Sequence, residues 1–348
     1  MKHIYVIIDG LSETKGDFTS LEKATTPIID GLFTNSKDFG FYQPEKALFH
    51  NEPKTDVIVP AFFGLKKELN PGRAALEIID MGYQLQPNSI CLGLSTTSDI
   101  DLFNSDFLAD LKVNLKSDAI ITTSNATNTG EKILFGNLQT DQIEILYDII
   151  GQNFKVINNN INVTDIGVVT NGFVNIDGLI KDGIFLGWGK GALRGALKHL
   201  GFKCNPFERD RNEYFNWRSY ETNFKNWIIP TLRDKNNTTD TLIFYTKESA
   251  FACRQNKPDK KIQAIEMMDL FLGKILKEIN EPVLVILLAD HSSNFGESGN
   301  PAENTIFLIS EYYNGSIKTT TSHFHENSPL VREKTTISQR ELIVKLIN

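Results

Sequence analysis

Cysteine is scarce in this chain: three in 348 residues, Cys91, Cys204 and Cys253, odd in number and far apart. That spacing offers neither a disulfide framework nor a Cys-x-x-Cys zinc site. There is also no run of about 18 apolar residues, the length a membrane-crossing helix needs. Positive charge is in short supply, with 36 Lys and Arg against 43 Asp and Glu and a formal net charge of −7. Such a balance gives no general attraction for nucleic acid or an anionic bilayer. Basic residues do gather over Arg209–Arg218, but acidic and aromatic side chains interrupt them. No repeat, low-complexity tract or extended linker breaks the chain. The opening Met-Lys-His leads directly into a short strand-like run, without the plan of a secretory leader. The expectation is a cytoplasmic protein with no membrane or nucleic-acid partner; the sequence does not reveal its oligomeric state.

What is present is ordinary globular material, 41% hydrophobic and 23% charged, long enough for one large core or a core plus a smaller domain. Ile4-Tyr-Val-Ile-Ile-Asp9-Gly10 is a short apolar run closed by Asp-Gly, and Val283-Leu-Val-Ile-Leu-Leu-Ala-Asp290-His291 repeats that design near the other end. Continuous apolar runs of this length read as strands buried on both faces, as in a parallel sheet covered by helices. Leu242–Thr246 and Thr305–Ile309 are further candidates. Helices are expected at Pro27–Phe33, where proline suits a first turn, at Lys260–Glu278 from its apolar spacing, and at Arg340–Ile347. The alternation predicts an α/β fold with a doubly wound, mostly parallel sheet. In such sheets ligands collect beyond the carboxyl ends of the strands, where Asp9 and Asp290–His291 fall.

From about Asn88 to Asp182 the character changes to Asn, Thr, Ser and Asp with short alternating pieces, including Ala119–Thr123 and Gly167–Thr170. We expect a smaller inserted α+β domain over residues 88–182, with 1–87 and 183–348 forming the core.

The strongest chemical constellation is Asp9, Thr55, Asp290 and His291. Three oxygen donors and one imidazole suit Mn²⁺, Zn²⁺ or Mg²⁺. A hydroxyl on such an ion loses its proton more readily and becomes a nucleophile toward phosphorus. Each residue alone also has a plain structural reading: Asp9 as a strand terminator, Asp290–His291 as strand-end hydrogen bonding.

Several segments together resemble the archaeal-type cofactor-independent phosphoglycerate mutases of the alkaline phosphatase superfamily. Asp9-Gly10 followed by Ser20-Leu-Glu-Lys-Ala-Thr-Thr-Pro-Ile-Ile-Asp30 is similar to that family's strand-Asp-Gly opening and TPLExAxTPNxD-like helix entry. Thr55-Asp56 with Phe63-Gly64 resembles its Ser/Thr-Asp segment, where the hydroxyl accepts the phosphoryl group. Gly72-Arg73 with Leu76-Glu77 resembles GRGPxEA. Lys247 to Asp269 aligns without a gap to KxTDEAGHDGDxxxKVxxIExID, Ala289-Asp290-His291-Ser292 to GDHST, and Phe324-His-Glu326 with Leu330 to the closing FxE…L element. The match is collinear and covers about two thirds of the chain.

The resemblance implies an alkaline-phosphatase-like catalytic core with an inserted cap, one metal held by Asp9, Thr55, Asp290 and His291, and Thr55 as phosphoryl acceptor. Arg73, Asp56 and Lys190 are the substrate-binding candidates. The family's other metal site does not carry over. Its ligand columns hold Ala250, Arg254 and Glu297; alanine cannot ligate, and arginine repels a cation. His323 and His325 fall in the closing element. Arg254, with Lys247, places fixed positive charge where the missing ion would stand, as basic side chains do in the related sulfatases. The alternative is a degenerate relative kept for binding or scaffolding. No arginine occurs from Asn88 to Asp182, where the family uses arginines to hold phosphoglycerate. The expected enzyme is therefore a one-metal phosphatase or phosphomutase-like transferase for another small phosphorylated or phosphonylated metabolite.

Two further features are weighed against plain readings. Gly187-Trp-Gly189-Lys190-Gly191 invites a nucleotide loop but matches neither GxxxxGK[ST] nor GxGxxG, and close strand–helix packing also accounts for its glycines. The aromatic group Phe207, Tyr214, Phe215, Trp217, Tyr220, Phe224 and Trp227 reads as core or a subunit contact rather than a stacking platform.

Overall fold

The apolar run after His3 forms the middle of an eight-stranded sheet. The computed structural model describes residues 3–12, 19–45, 53, 55–63, 90–96, 119–122, 132–138, 163–170, 182–187, 192–205, 217–296, 304–313 and 336–347. Strand β1 is His3–Ile8, followed by β2 (Ser36–Gln43), β3 (Ile90–Thr96), β4 (Ala119–Thr122), β5 (Lys132–Leu138), β6 (Val163–Thr170), β7 (Gly183–Leu186), β8 (Lys203–Cys204), β9 (Thr241–Thr246), β10 (Val283–Leu288), β11 (Thr305–Tyr312) and β12 (Thr336–Ser338). The large sheet runs β12-β2-β11-β10-β1-β9-β7-β8. β1 lies parallel between β10 and β9, with Ile7 opposite Leu288 on one side and Tyr245 on the other. The sheet is mostly parallel; β11 is the strand that runs against both its neighbours, β10 and β2.

Both faces of the central strands are covered, which is why their sequences are continuously apolar. On one face Ile4, Val6, Ile8, Leu242, Phe244, Val285 and Leu287 share a core with Ile265, Met268, Phe271, Leu272 and Ile275. The last five come from the helix Pro258–Leu276, whose apolar stripe at helical spacing meets the sheet. On the opposite face Tyr5 packs edge-on against Phe63, ring centroids 4.8 Å apart, just beyond the helix Thr55–Ala61. Each of these side chains is buried, worth about 1.5–3 kcal/mol apiece relative to exposure. Among the aromatic group, Tyr220 and Phe224 belong to this core and Trp217 and Trp227 pack against it; Phe207, Tyr214 and Phe215 lie outside the described residues.

The chain divides into two compact units: Met1–Phe63 with Ile176–Gly189 and Gly201–Asn348, and Gly64–Asn175 with Lys190–Leu200. The first carries the large sheet. The second carries a four-stranded sheet ordered β4-β5-β3-β6, antiparallel throughout, and the helix Ala192–His199. No helix among the described residues is long and apolar enough to cross a membrane.

One buried carboxylate ties a helix start to the long helix behind it. The helix Pro27–Thr34 has Thr26 at its N-cap, but the Thr26 side chain makes no capping bond. Instead Asp269 Oδ1 accepts the backbone N–H of Ile29 at 2.7 Å and of Ile28 at 3.1 Å. Burial pushes the Asp269 carboxyl up, with Asp30 and Glu266 adding to it, and the two N–H donors only partly offset this, leaving it at about 7. Between its ordinary 3.8 and about 7 the folded chain holds a proton that the unfolded chain has released. Stability from this group is therefore complete below about pH 4 and is lost as pH rises through about 7. Asp269→Asn keeps an acceptor for both N–H groups without the titration. Chemical unfolding should show its stability relative to wild type rising from pH 5 to pH 8; a constant difference would mean that Asp269 is an ordinary ionised cap.

Candidate metal centre

Asp9 follows the last residue of β1 and Asp290 lies two beyond the last residue of β10, so the parallel pairing of those strands brings the two carboxylates together at one end of the sheet. His291 is the next residue. All three side chains are fully buried, and each offers one ligand atom within 4.8 Å of the others, the one such group of three metal-ligating residues among the described residues. Thr55 closes the group from the first turn of its helix: its Oγ1 donates to Asp290 Oδ2 at 2.6 Å and lies 3.4 Å from His291 Nε2.

The donor chemistry fits a cation. His291 Nδ1 is 2.8 Å from the Ser292 carbonyl oxygen. A carbonyl only accepts, so Nδ1 carries a proton and Nε2 is the atom turned toward the carboxylates. It stands 3.0 Å from Asp9 Oδ1 and 3.6 Å from Asp290 Oδ2. Asp9 Oδ1 is buried and accepts no aligned hydrogen bond. Two carboxylate oxygens, a hydroxyl and an imidazole nitrogen thus converge on one point, an arrangement that needs a proton or a metal ion at its centre.

The charge balance follows from the same geometry. Burial pushes His291 down, but Asp290 and Asp9 outweigh it and raise the ring to about 9. Burial pushes Asp9 up, yet His291, then Lys247 and Arg254, hold it below the usual carboxylate range. Asp290 goes the other way, raised by burial and by the Asp9 charge. Tyr245, whose hydroxyl donates to Asp9 Oδ2 at 2.7 Å, is raised well above the ordinary tyrosine value by burial and the two carboxylates.

Lys247 and Arg254 sit at either end of the helix Glu248–Arg254, Lys247 at its N-cap. Both are half-buried, and both charges are felt at the Asp9 carboxyl. Ala250, on the same helix, is fully buried beside the turn after β1. Gly10 there has φ +66°, and a Cβ on it would come within 2.1 Å of Ser293 Oγ and 3.0 Å of Ala250 Cβ. Glycine is required on both counts, conformation and space. The Asp56 side chain, Arg73, Lys190, Glu297, His323 and His325 lie outside the described residues. Of the loop at 187–191 only Gly187 is described; a Cβ there would strike the Phe185 ring at 2.1 Å, so packing accounts for that glycine. Sequence reasoning missed Tyr245. Its one signal was a phenolic hydroxyl following Leu242, Ile243 and Phe244 in an otherwise apolar run.

No family model matches the sequence, and no curated protein does. Solved structures do. The PH0037 protein of Pyrococcus horikoshii superposes with a TM-score of 0.65 at 18% identity, over 99% of this chain and 96% of that one. A cofactor-independent phosphoglycerate mutase from Thermoplasma acidophilum superposes with a TM-score of 0.55 at 12% identity, over 100% of this chain and 99% of that one. At such identities the likeness is one of fold: this chain has the α/β, alkaline-phosphatase-like architecture that its sequence predicts, at nearly the full length of both relatives.

Proposed function

We propose that this chain is a one-metal phosphoryl-transfer enzyme, phosphatase or phosphomutase-like, that works through Thr55 on a small phosphorylated or phosphonylated metabolite in the cytoplasm. The observation that carries this reading is the Thr55 hydroxyl, bonded at 2.6 Å to Asp290 inside the buried Asp9–Asp290–His291 group. Asp9, Thr55, Asp290 and His291 would hold the ion, Mn²⁺, Zn²⁺ or Mg²⁺. When bound, such an ion makes the Thr55 hydroxyl more acidic and hence more nucleophilic. The Thr55 oxygen forms the new bond to phosphorus as the bond to the leaving oxygen breaks. The hydroxyl proton, donated to Asp290 Oδ2 in the resting site, ends on the departing oxygen, so the step releases the leaving group as an alcohol. Lys247 and Arg254 supply positive charge for the developing charge on the phosphoryl oxygens. Arg73, Asp56 and Lys190 are assigned to substrate, and residues 88–182 to a cap over it.

Elemental analysis after dialysis against limiting Mn²⁺ or Zn²⁺ should find one ion per chain, removed by Asp290→Asn. Two ions per chain would restore a second site, and none would replace the enzyme by a degenerate binding protein.

The arginine-free stretch from Asn88 to Asp182 argues against phosphoglycerate as substrate, since it holds no guanidinium fork to pair with the carboxylate and phosphate. A coupled assay for interconversion of 2- and 3-phosphoglycerate should give no turnover above a Thr55→Ala control. Robust turnover would move the substrate-binding residues elsewhere.

A further inference from the structure

The hydroxyl of Tyr245 bonds a proposed metal ligand, Asp9, and has no part in the phosphoryl transfer. We infer that Tyr245 is a positioning residue that restricts Asp9 to one-oxygen ligation and so makes the centre selective for a small divalent ion over Ca²⁺. This rests on the proposed metal site.

An ionised carboxylate can only accept, so the 2.7 Å contact is a phenol O–H donated to Asp9 Oδ2. That oxygen is committed to the protein. The other, Oδ1, faces His291 Nε2 at 3.0 Å. Asp290 is divided in a similar way, its Oδ1 taking the Gly10 N–H at 3.3 Å and its Oδ2 turned to Thr55. Each carboxylate therefore presents one oxygen, and with Nε2 and the Thr55 oxygen the set provides four donors. Four suit Zn²⁺ and fall short of the six to eight oxygens, often from bidentate carboxylates, that Ca²⁺ takes.

Tyr245 is itself held still. Its side chain is buried, with the Phe185 ring 6.2 Å from its own. A phenol fixed in this way keeps the carboxylate from rotating to offer both oxygens, and partners of metal ligands typically govern affinity about 10–100-fold.

The test is competition titration of the full chain with Zn²⁺ and Ca²⁺, comparing wild type, Tyr245→Phe and Tyr220→Phe, with circular dichroism to establish that each is folded. Tyr220→Phe removes a buried hydroxyl bond from a neighbouring helix to the β9 backbone carbonyl of residue 245, leaving the Tyr245 phenol and Asp9 untouched, so it reports a merely structural effect. Tyr245→Phe should weaken Zn²⁺ binding by about 10–100-fold and lower the Zn²⁺-over-Ca²⁺ preference at least about tenfold, while Tyr220→Phe leaves that preference unchanged. Equal preference in wild type and Tyr245→Phe, or equal loss in both variants, overturns the role of Tyr245 and leaves the metal site standing. Failure of folded wild type to bind Zn²⁺ overturns the metal site and this inference with it. Should Tyr245→Phe not fold, Tyr245→His, which keeps a donor in the ring's place, is expected to restore the preference at least in part; a folded Tyr245→His with no preference for Zn²⁺ also counts against the inference.

Discussion

Thr55→Ala is expected to lower phosphoryl transfer by about 10⁴-fold or more while one divalent ion per chain stays bound. The size reflects removal of a nucleophile, which in well-studied hydrolases costs as much as dismantling the whole catalytic group. Three of the four proposed ligands, Asp9, Asp290 and His291, are unaffected and form a group without Thr55, so the metal should weaken rather than leave. The change is also mild for the fold, because Thr55 is only half-buried and alanine suits a helix start at little cost. Thr55→Ser keeps the oxygen and should retain most of the activity. Trapping the reaction with acid should show phosphate on the wild-type chain and none on Thr55→Ala. If Thr55→Ala turned over normally, the nucleophile would be a bound water and the enzyme a direct hydrolase.

The part of this site that could be read from sequence was the part set by strand chemistry. Asp9 and Asp290 follow apolar runs, and a polar side chain directly beyond a buried strand has few explanations other than ligand binding or strand-end hydrogen bonding. What the runs could not show was direction. Thr305–Ile309 is as apolar as Ile4–Ile8, yet β11 is antiparallel to β10; burial on both faces decides composition, and whether the chain returns directly or crosses over decides direction. Strand β2 escaped notice because Ser-Lys-Asp-Phe-Gly-Phe-Tyr-Gln has no apolar run at all. It is a strand through its pairing with β11, where Gly40 lies against the Phe307 ring, 3.0 Å from where a Cβ would be. Local propensity is divided, Phe39, Phe41 and Tyr42 favouring a strand and Lys37, Asp38 and Gly40 disfavouring it, and tertiary pairing decides.

Partners far apart in the chain were equally hidden. Nothing near Thr26 indicates that the N-terminus of its helix is capped by Asp269, or that the second oxygen of Asp9 belongs to Tyr245. Such contacts depend on which strands and helices become neighbours, and a single sequence does not state this. In the second unit β4 and the end of β6 fall on the alternating pieces Ala119–Thr123 and Gly167–Thr170, and β3 pairs with β5 and β6.

Arg254 carries the second large effect. We propose that it stands in for a second cation: it lies one turn along the helix from Ala250, and its charge acts on the Asp9 carboxyl. A guanidinium stays charged at any working pH and matches two phosphoryl oxygens at once. Arg254→Ala should therefore reduce kcat by about 10²–10³-fold, the usual cost of losing one preorganised donor to transition-state charge. Phosphate or vanadate binding should weaken by about 1.5–3 kcal/mol, the range for a hydrogen bond to a charged group. Metal content should not change, which separates this variant from Asp290→Asn. Arg254→Lys should fall between, keeping the charge but not the planar fork. Normal turnover and normal vanadate binding in Arg254→Ala would make the residue structural, and the positive charge at the site would then rest on Lys247 alone among the described residues assigned that role.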